Sequence, residues 1–313
     1  MEAKNNSTEY AVVIGGINID IAAIANKNLL EKDSNPGHIQ ISMGGVGRNI
    51  ADNLTKLGIT TKLISIIGDD QYGKLICQSC NEIGIDISIS NITSKAQTSF
   101  YVSIMDQHGR LKTAISDMAI FEFLLPAHLE SHNKIMEKAN TIIVDTNLRN
   151  DVIEYLLNKF QGRIIIDTVS TAKAIKIQDL FSKIHTIKTN RWEAQVLSGI
   201  NLAEKKNILT AVQYFLDQGV TQVFITLGKD GVAYGSTDFQ GIYKPRTVKA
   251  VNETGSGDAF SAGLAYCFGN NLDIKKTVEF ACFAAAVAVE SAETVNPEMS
   301  IAKINQLINI NEY

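Results

Sequence analysis

Cysteine is scarce in this 313-residue chain, positive charge is not in excess, and long apolar runs are missing. Each shortage excludes a class of protein. With a net charge of -4 and a pI near 5.8 there is no basic footprint, so nucleic acid is not expected as a partner. No apolar run approaches the ~20 residues that cross a bilayer, and no membrane association is expected. The four cysteines include Cys77 and Cys80 in a C-x-x-C. These lie in the helical pattern K-L-I-C-Q-S-C-N-E-I, with no second pair or histidine cluster, and read as buried thiols. Cys267 and Cys282 sit in apolar helical runs as small core residues. Residues 1–9 are polar and read as a loose N-terminus, not a signal peptide, so a cytoplasmic location is expected. Repeats, linkers and low-complexity segments are absent too. At 45% hydrophobic content, residues 10–313 can bury a large core and are expected to form a single domain.

The stretch that organises the rest is Val251–Gly263, V-N-E-T-G-S-G-D-A-F-S-A-G. Gly255 and Gly257 bracket Ser256, Asp258 follows, and an apolar helical run continues through Phe260, Leu264 and Phe268. Glycines let backbone N–H groups converge at the positive end of a starting helix, which suits an anion such as phosphate. A carboxylate is out of place there unless it accepts a proton from a hydroxyl attacking phosphorus. Standing alone, the pattern more readily describes a glycine-rich turn with Asp258 as a cap near the helix start.

Taken in order, Tyr10–Ile19 reads as a strand with Gly15 and Gly16 inside it, ending in Asn18 and Asp20. Ser34–Gly37 is a turn, and H-I-Q-I-S-M alternates as a half-buried strand. Gly44, Gly45 and Gly47 then open a helix with Ile50, Leu54 and Leu57 on its apolar face. Neither G-K-[ST] nor G-x-G-x-x-G is present, which leaves no Walker loop and no dinucleotide fingerprint. Asn49 in its first turn could face a ligand, and Arg48 reads equally as ligand-facing or as an exposed surface arginine. Thr61–Ile67 reads as a further strand; Thr98–Met105 and Leu111–Ile115 read as an alternating pair joined by D-Q-H-G-R. With the strand before the glycines, that pair could form a small antiparallel lid over a cleft, drawn from about 15–45 and 97–118.

From Ala139 strands and helices alternate strictly, which predicts a parallel sheet. Asp145, Asn147, Asp167, Asn190 and Thr226 fall at or just beyond the carboxyl ends of its strands, where such sheets bind ligands. Asn190 and Glu193 are spaced N-x-x-E at a helix start; beside phosphate, Glu193 could hold a Mg²⁺ shell through water. Gly228–Gly231 is a tight turn, and Thr277–Ser291 an apolar helix whose small residues could accommodate a flat adenine.

With G-G-V-G-R-N near its start and T-G-S-G-D near its end, the chain resembles the ribokinase-like (PfkB-type) carbohydrate kinases over nearly its whole length. The likeness includes Gly15 to Asp20, N-x-x-E at Asn190 and Glu193, and T-L-G-K-D-G from Thr226. Further stretches are most similar to the members that phosphorylate pseudouridine: Ser34–Gly37, Gly44–Ala51, Ser116–Met118, Asp167–Ser170, Lys188–Ala194 and Leu197–Ile200.

The resemblance implies a three-layer α/β/α fold and ATP- and Mg²⁺-dependent phosphorylation of a ribosyl 5′-hydroxyl. Asp258 would be the base and the N–H groups of Gly255, Ser256 and Gly257 the anion hole. Asn18, Asp20, Gly44, Gly45, Gly47, Arg48, Asn49, Asp117 and Asn147 would bind substrate. Asn190, Thr226, Gly228 and Gly231, with Gly255 and Gly257, would line the nucleotide, and Glu193 with Asn190 would organise the metal. A homodimer through the lid is also expected. Many relatives carry an acid where Asn252 stands, so a monovalent-cation requirement is left open; the alanine that many carry where Ser256 stands changes little, since the backbone makes the hole. A kinase of another nucleoside or sugar, or a non-catalytic binding module, remains an alternative; retention of Asp258 argues against the module.

Overall fold

The computed structural model describes residues 10–162, 164–245 and 250–311; the stretch expected to be a loose N-terminus lies outside them. Strands here are apolar at successive positions because both of their faces are covered. In Tyr10–Ile14, Val12 and Ile14 enter one hydrophobic cluster while Ala11 and Val13 enter another. Ile142 and Val144 divide from Ile143 in the same way, as do Ile164 and Ile166 from Ile165. The first cluster is completed by Val152, Leu156 and Phe215, the second by Ile50, Leu54, Phe260 and Leu264. A sheet buried between two helical layers results.

That sheet has eight strands, in the order Phe239–Tyr243, Val232–Ser236, Gln222–Thr226, Thr186–Asn190, Ile164–Asp167, Thr141–Asp145, Tyr10–Ile14, Thr60–Ile64. All neighbours are parallel except at Val232–Ser236, which runs antiparallel to both of its own. Strand order reverses at Tyr10–Ile14, with Thr60–Ile64 on one side and Thr141–Asp145 on the other. Open α/β sheets leave a crevice beyond the carboxyl ends at such a reversal.

The lid is a separate four-stranded sheet, Gly37–Gly44, Asn18–Ala25, Phe100–Met105, Leu111–Asp117. It is not wholly antiparallel: Asn18–Ala25 and Phe100–Met105 pair in parallel, since both enter the lid from the core side.

Of the boundaries that differ from the sequence reading, three have a visible local cause. The strand expected over Tyr10–Ile19 breaks after Ile14, because the Gly16 N–H donates to Asp145 Oδ2 at 2.6 Å instead of to a neighbouring strand. Thr61–Ile67 is two strands, Thr60–Ile64 and Ile66–Gly68, interrupted at Ser65, whose hydroxyl donates to the Gly15 carbonyl at 2.6 Å. The long apolar helix starts earlier, as Ile274–Val289, where Asp273 accepts from the Lys275 and Lys276 N–H groups.

Candidate active site

Two glycine-led helices, Val46–Lys56 and Ser256–Gly269, lie on the same face of the main sheet and share the second hydrophobic cluster. Their starts converge, and Asn49 Nδ2 donates to Asp258 Oδ2 at 2.9 Å. The first helix sits so close to the end of the first strand that its glycines are obligatory. Gly45 has φ 101°, and a Cβ there would fall 2.5 Å from the Gly16 carbonyl oxygen. A Cβ at Gly44 would collide with the Asp20 carboxylate.

At the second helix, the Ser256 N–H and hydroxyl both turn back to the Glu253 carbonyl, at 3.3 and 2.8 Å. The N–H groups of Gly255, Gly257 and Asp258 bond to no atom of the described residues. The free donors at this positive helix end therefore differ by one from the expected set: Asp258 contributes its own N–H where Ser256 does not.

Lys188 completes the constellation, and the sequence reading missed it. Its Nζ lies 2.9 Å from where a Gly257 Cβ would be, and 3.0 Å from Asp167 Oδ2. Asp167 also accepts from the Ser261 hydroxyl at 2.7 Å and from the Val169 N–H at 3.0 Å. Val169 has φ 59°, a strained conformation for a β-branched residue, and it lines the cleft. Burial works to strip the Lys188 proton, but the carboxylates of Asp167, Glu193 and Asp258 outweigh it, so its ammonium is held above the ordinary lysine value. The available signal was a lysine in the middle of the strand T-I-K-T-N, between neighbouring strands of the core.

Asp258 is only partly exposed at the base of this cleft, and its carboxyl is pushed up to about 7. Burial is the main cause and the charge of Asp167 adds to it, opposed by Lys188 and the Asn49 hydrogen bond. A carboxylate so tuned can take a proton near neutral pH.

The cleft encloses about 410 Å³. Asn190, Glu193, Thr226, Gly228, Gly231, Ser256, Gly257 and Asp258 all line it, as do Ala285, Ala286 and Val289 from the long apolar helix. Asn190 and Glu193 form a reciprocal helix cap. Asn190 Oδ1 accepts from the Trp192 and Glu193 N–H groups at 2.9 and 3.0 Å, while Glu193 accepts from the Asn190 N–H at 2.8 Å, Asn190 Nδ2 at 2.6 Å and Thr168 Oγ1 at 2.6 Å. Among the described residues no cluster of three His, Cys, Asp or Glu could hold a metal.

The remaining expected residues divide. Asn18 Nδ2 donates to Asp20 Oδ1 at 2.5 Å, and burial raises the Asp20 carboxyl above its ordinary value against that bond and the Arg48 charge. Asn147 packs against Gly16 and accepts from Lys173 Nζ. Arg48 turns inward: it donates to the Met43 carbonyl at 3.2 Å and pairs with Asp52 at 3.5 Å. Asp117 accepts from Gln97 and the Ala119 N–H, both at 3.2 Å, at the end of the lid's last strand. Asn252 spends its amide on the Ala292 carbonyl and the Thr254 N–H, each at 3.0 Å. Cys77, Cys80, Cys267 and Cys282 are free thiols, the first half-buried and the others buried.

This architecture is the ribokinase-like fold: ribokinase of Arabidopsis thaliana, solved with ribose and ATP, superposes with a TM-score of 0.83 at 21% identity, covering 96% of this chain and 99% of that one. Residues 8–301 match the profile of the pfkB family carbohydrate kinases, and the chain belongs to that family. It is 35% identical over 302 residues to pseudouridine kinase of Escherichia coli, covering 96% of each chain. To ribokinase of Haemophilus influenzae it is 26% identical over 251 residues, covering 80% and 82%. Among the described residues no helix is long and apolar enough to cross a membrane.

Proposed function

We propose that the protein transfers the γ-phosphoryl group of ATP to the 5′-hydroxyl of pseudouridine, giving pseudouridine 5′-phosphate and ADP in the cytoplasm. One observation carries the reaction: Asp258, tuned to about 7, sits among free N–H donors at a helix start with the Lys188 ammonium beside it. Asp258 takes the hydroxyl proton as the 5′-oxygen bonds to phosphorus and the bridging oxygen departs with ADP. The N–H groups of Gly255, Gly257 and Asp258 and the charge on Lys188 meet the negative charge of the transferring group. Asn18, Asp20, Gly44, Gly45 and Asn49 hold the ribose, and Asn49 orients the catalytic Asp258 through its 2.9 Å bond. Thr226, Gly228 and Gly231 border the nucleotide, with Ala285, Ala286 and Val289 as its apolar wall.

Mg²⁺, when bound, supplies charge neutralisation across the phosphates. The donor set fits an ion carried mainly by those phosphates, because Glu193 is 2% exposed and both its oxygens are engaged. Glu193 and Asn190 would then reach it through water.

The choice of acceptor rests on the 35% identity to the Escherichia coli pseudouridine kinase across nearly all of both chains. Pseudouridine, uridine and ribose compared under the same Mg-ATP test it, with the product position read by mass and NMR. We expect pseudouridine to exceed uridine in kcat/KM by about ten- to hundredfold, since an unmatched base edge leaves a buried polar group unpaired at about 1–3 kcal/mol. Ribose or another sugar outcompeting pseudouridine would overturn the acceptor while leaving the catalytic aspartate standing.

We also infer that the lid pairs with that of a second copy. Ile39, Ile41, Ile104 and Ile115 share one lid face by register and are exposed, Ile39 at 67% and Ile115 at 72%. An apolar surface of this kind calls for a partner.

A further inference from the structure

Alternation divides the lid's side chains between two faces. One face carries Ile19 and Phe100; it packs at its root on the Gln71–Ile83 helix, where Phe100 meets Tyr72 edge-on with ring centroids 4.9 Å apart. The other face carries Asp20. Register across the four strands sets Ser42, Asp20, Tyr101 and Ser116 in one row on that face. The next row outward is Gln40, Ala22, Ser103 and Ala114. Neighbours within a row are about 4.8 Å apart, and the rows are about 7 Å apart along the strands.

The second row is a low floor. Two of its members are alanines, and the Ser103 hydroxyl is turned away into the Ile21 carbonyl, at 3.4 Å. Tyr101 stands beside this floor at 37% exposure. Neither its hydroxyl nor the Gln40 amide bonds to any other described residue. A ribose held at Asp20 would project its base outward across these strands, over that floor. There a flat ring meets an aromatic face, and a base edge bearing C=O beside N–H meets an amide with the complementary pair.

We propose that Tyr101 and Gln40 form the base subsite, with the Tyr101 ring against the face of the base and the Gln40 amide paired to its edge. This rests on the nucleoside reading given above. The test is steady-state kinetics of Tyr101→Ala, Tyr101→Phe and Gln40→Ala with pseudouridine, uridine and ribose, kcat and KM resolved separately. Tyr101→Ala should raise KM for both nucleosides by roughly 5- to 150-fold, the range that base–aromatic stacking gives, with kcat changed far less. Tyr101→Phe keeps the ring and should retain most of the affinity. Gln40→Ala should cost the nucleosides several-fold. Ribose has no base, so the preference for nucleoside over ribose should shrink in both alanine variants. The subsite is overturned if Tyr101→Ala leaves nucleoside KM unchanged, or if it weakens ribose by the same factor. Wild-type preference for a bare sugar would overturn the acceptor and the subsite together. Preference for a different nucleoside would overturn the acceptor alone, with Tyr101→Ala still raising that nucleoside's KM.

Discussion

Replacing Asp258 with asparagine should weaken catalysis and strengthen the fold, and the second effect should grow with pH. The folded protein pushes this carboxyl up to about 7, chiefly by burial and then by the charge of Asp167. In an unfolded chain an aspartate titrates near about 3.9. A group raised on folding favours the fold most below its unfolded value, and that contribution is lost as pH rises through the folded one. Between pH 5 and pH 8 the cost of the ionised carboxylate grows by about 2–3 kcal/mol for a fully enclosed group; the open side of the cleft reduces this to about 1–2 kcal/mol. The uncharged amide would bear none of it, and its side-chain oxygen can still accept from Asn49. Thermal unfolding of both proteins across that interval should show the variant's Tm advantage widening by about 1.5–3 °C. Turnover should fall by about 10²–10⁴-fold, and wild-type kcat/KM should rise as pH passes through about 7, where the base loses its proton. A Tm difference that ignores pH would refute the burial argument. Near-wild-type turnover in the folded variant would refute the assignment of the base.

Lys188→Met removes one partner of a buried pair and leaves Asp167 uncompensated, a loss of about 3–5 kcal/mol in denaturant unfolding that Asp167→Asn should partly restore. No restoration would mean that Asp167 is satisfied by Ser261 and Val169 alone. Glu193→Gln should shift the Mg²⁺ concentration needed for half-maximal rate upward, with added Mg²⁺ recovering part of the activity. Activity lost without such a shift would reduce Glu193 to a helix cap. Ile41→Asp with Ile115→Asp should yield a monomer by light scattering; a dimer of unchanged mass would place the contact elsewhere.

The glycine stretches and the strand ends were legible because their cause is local. Gly45 must adopt φ 101° against the Gly16 peptide, and only one residue type does that without strain, so the position announces itself. Asp145, Asp167 and Asn190 follow apolar runs, and the topology brings any such set to one edge. Lys188 was hidden because its meaning depends on Asp167 and Gly257, 21 and 69 positions away, which only the folded sheet unites. Arg48 was read as facing either a ligand or solvent; two acceptors close by, the Met43 carbonyl and Asp52, draw it inward instead. The break after Ile14 could not be anticipated either. It depends on the Asp145 carboxylate taking a backbone donor from 129 residues away.

Gly15–Ile17 joins the first core strand to the first lid strand with no slack. The Gly16 N–H is fastened to Asp145, its carbonyl accepts from the Arg48 N–H at 3.0 Å, and the Gly45 carbonyl next along accepts from the Asn49 N–H at 2.8 Å. Asn49 in turn holds Asp258. A tilt of the lid is thus geared to the carboxylate through a short train of backbone, like a key turning a bolt. A poorly fitting acceptor that props the lid at the wrong angle would set the bolt out of line, and selectivity would then register in the rate of transfer as well as in the tightness of binding.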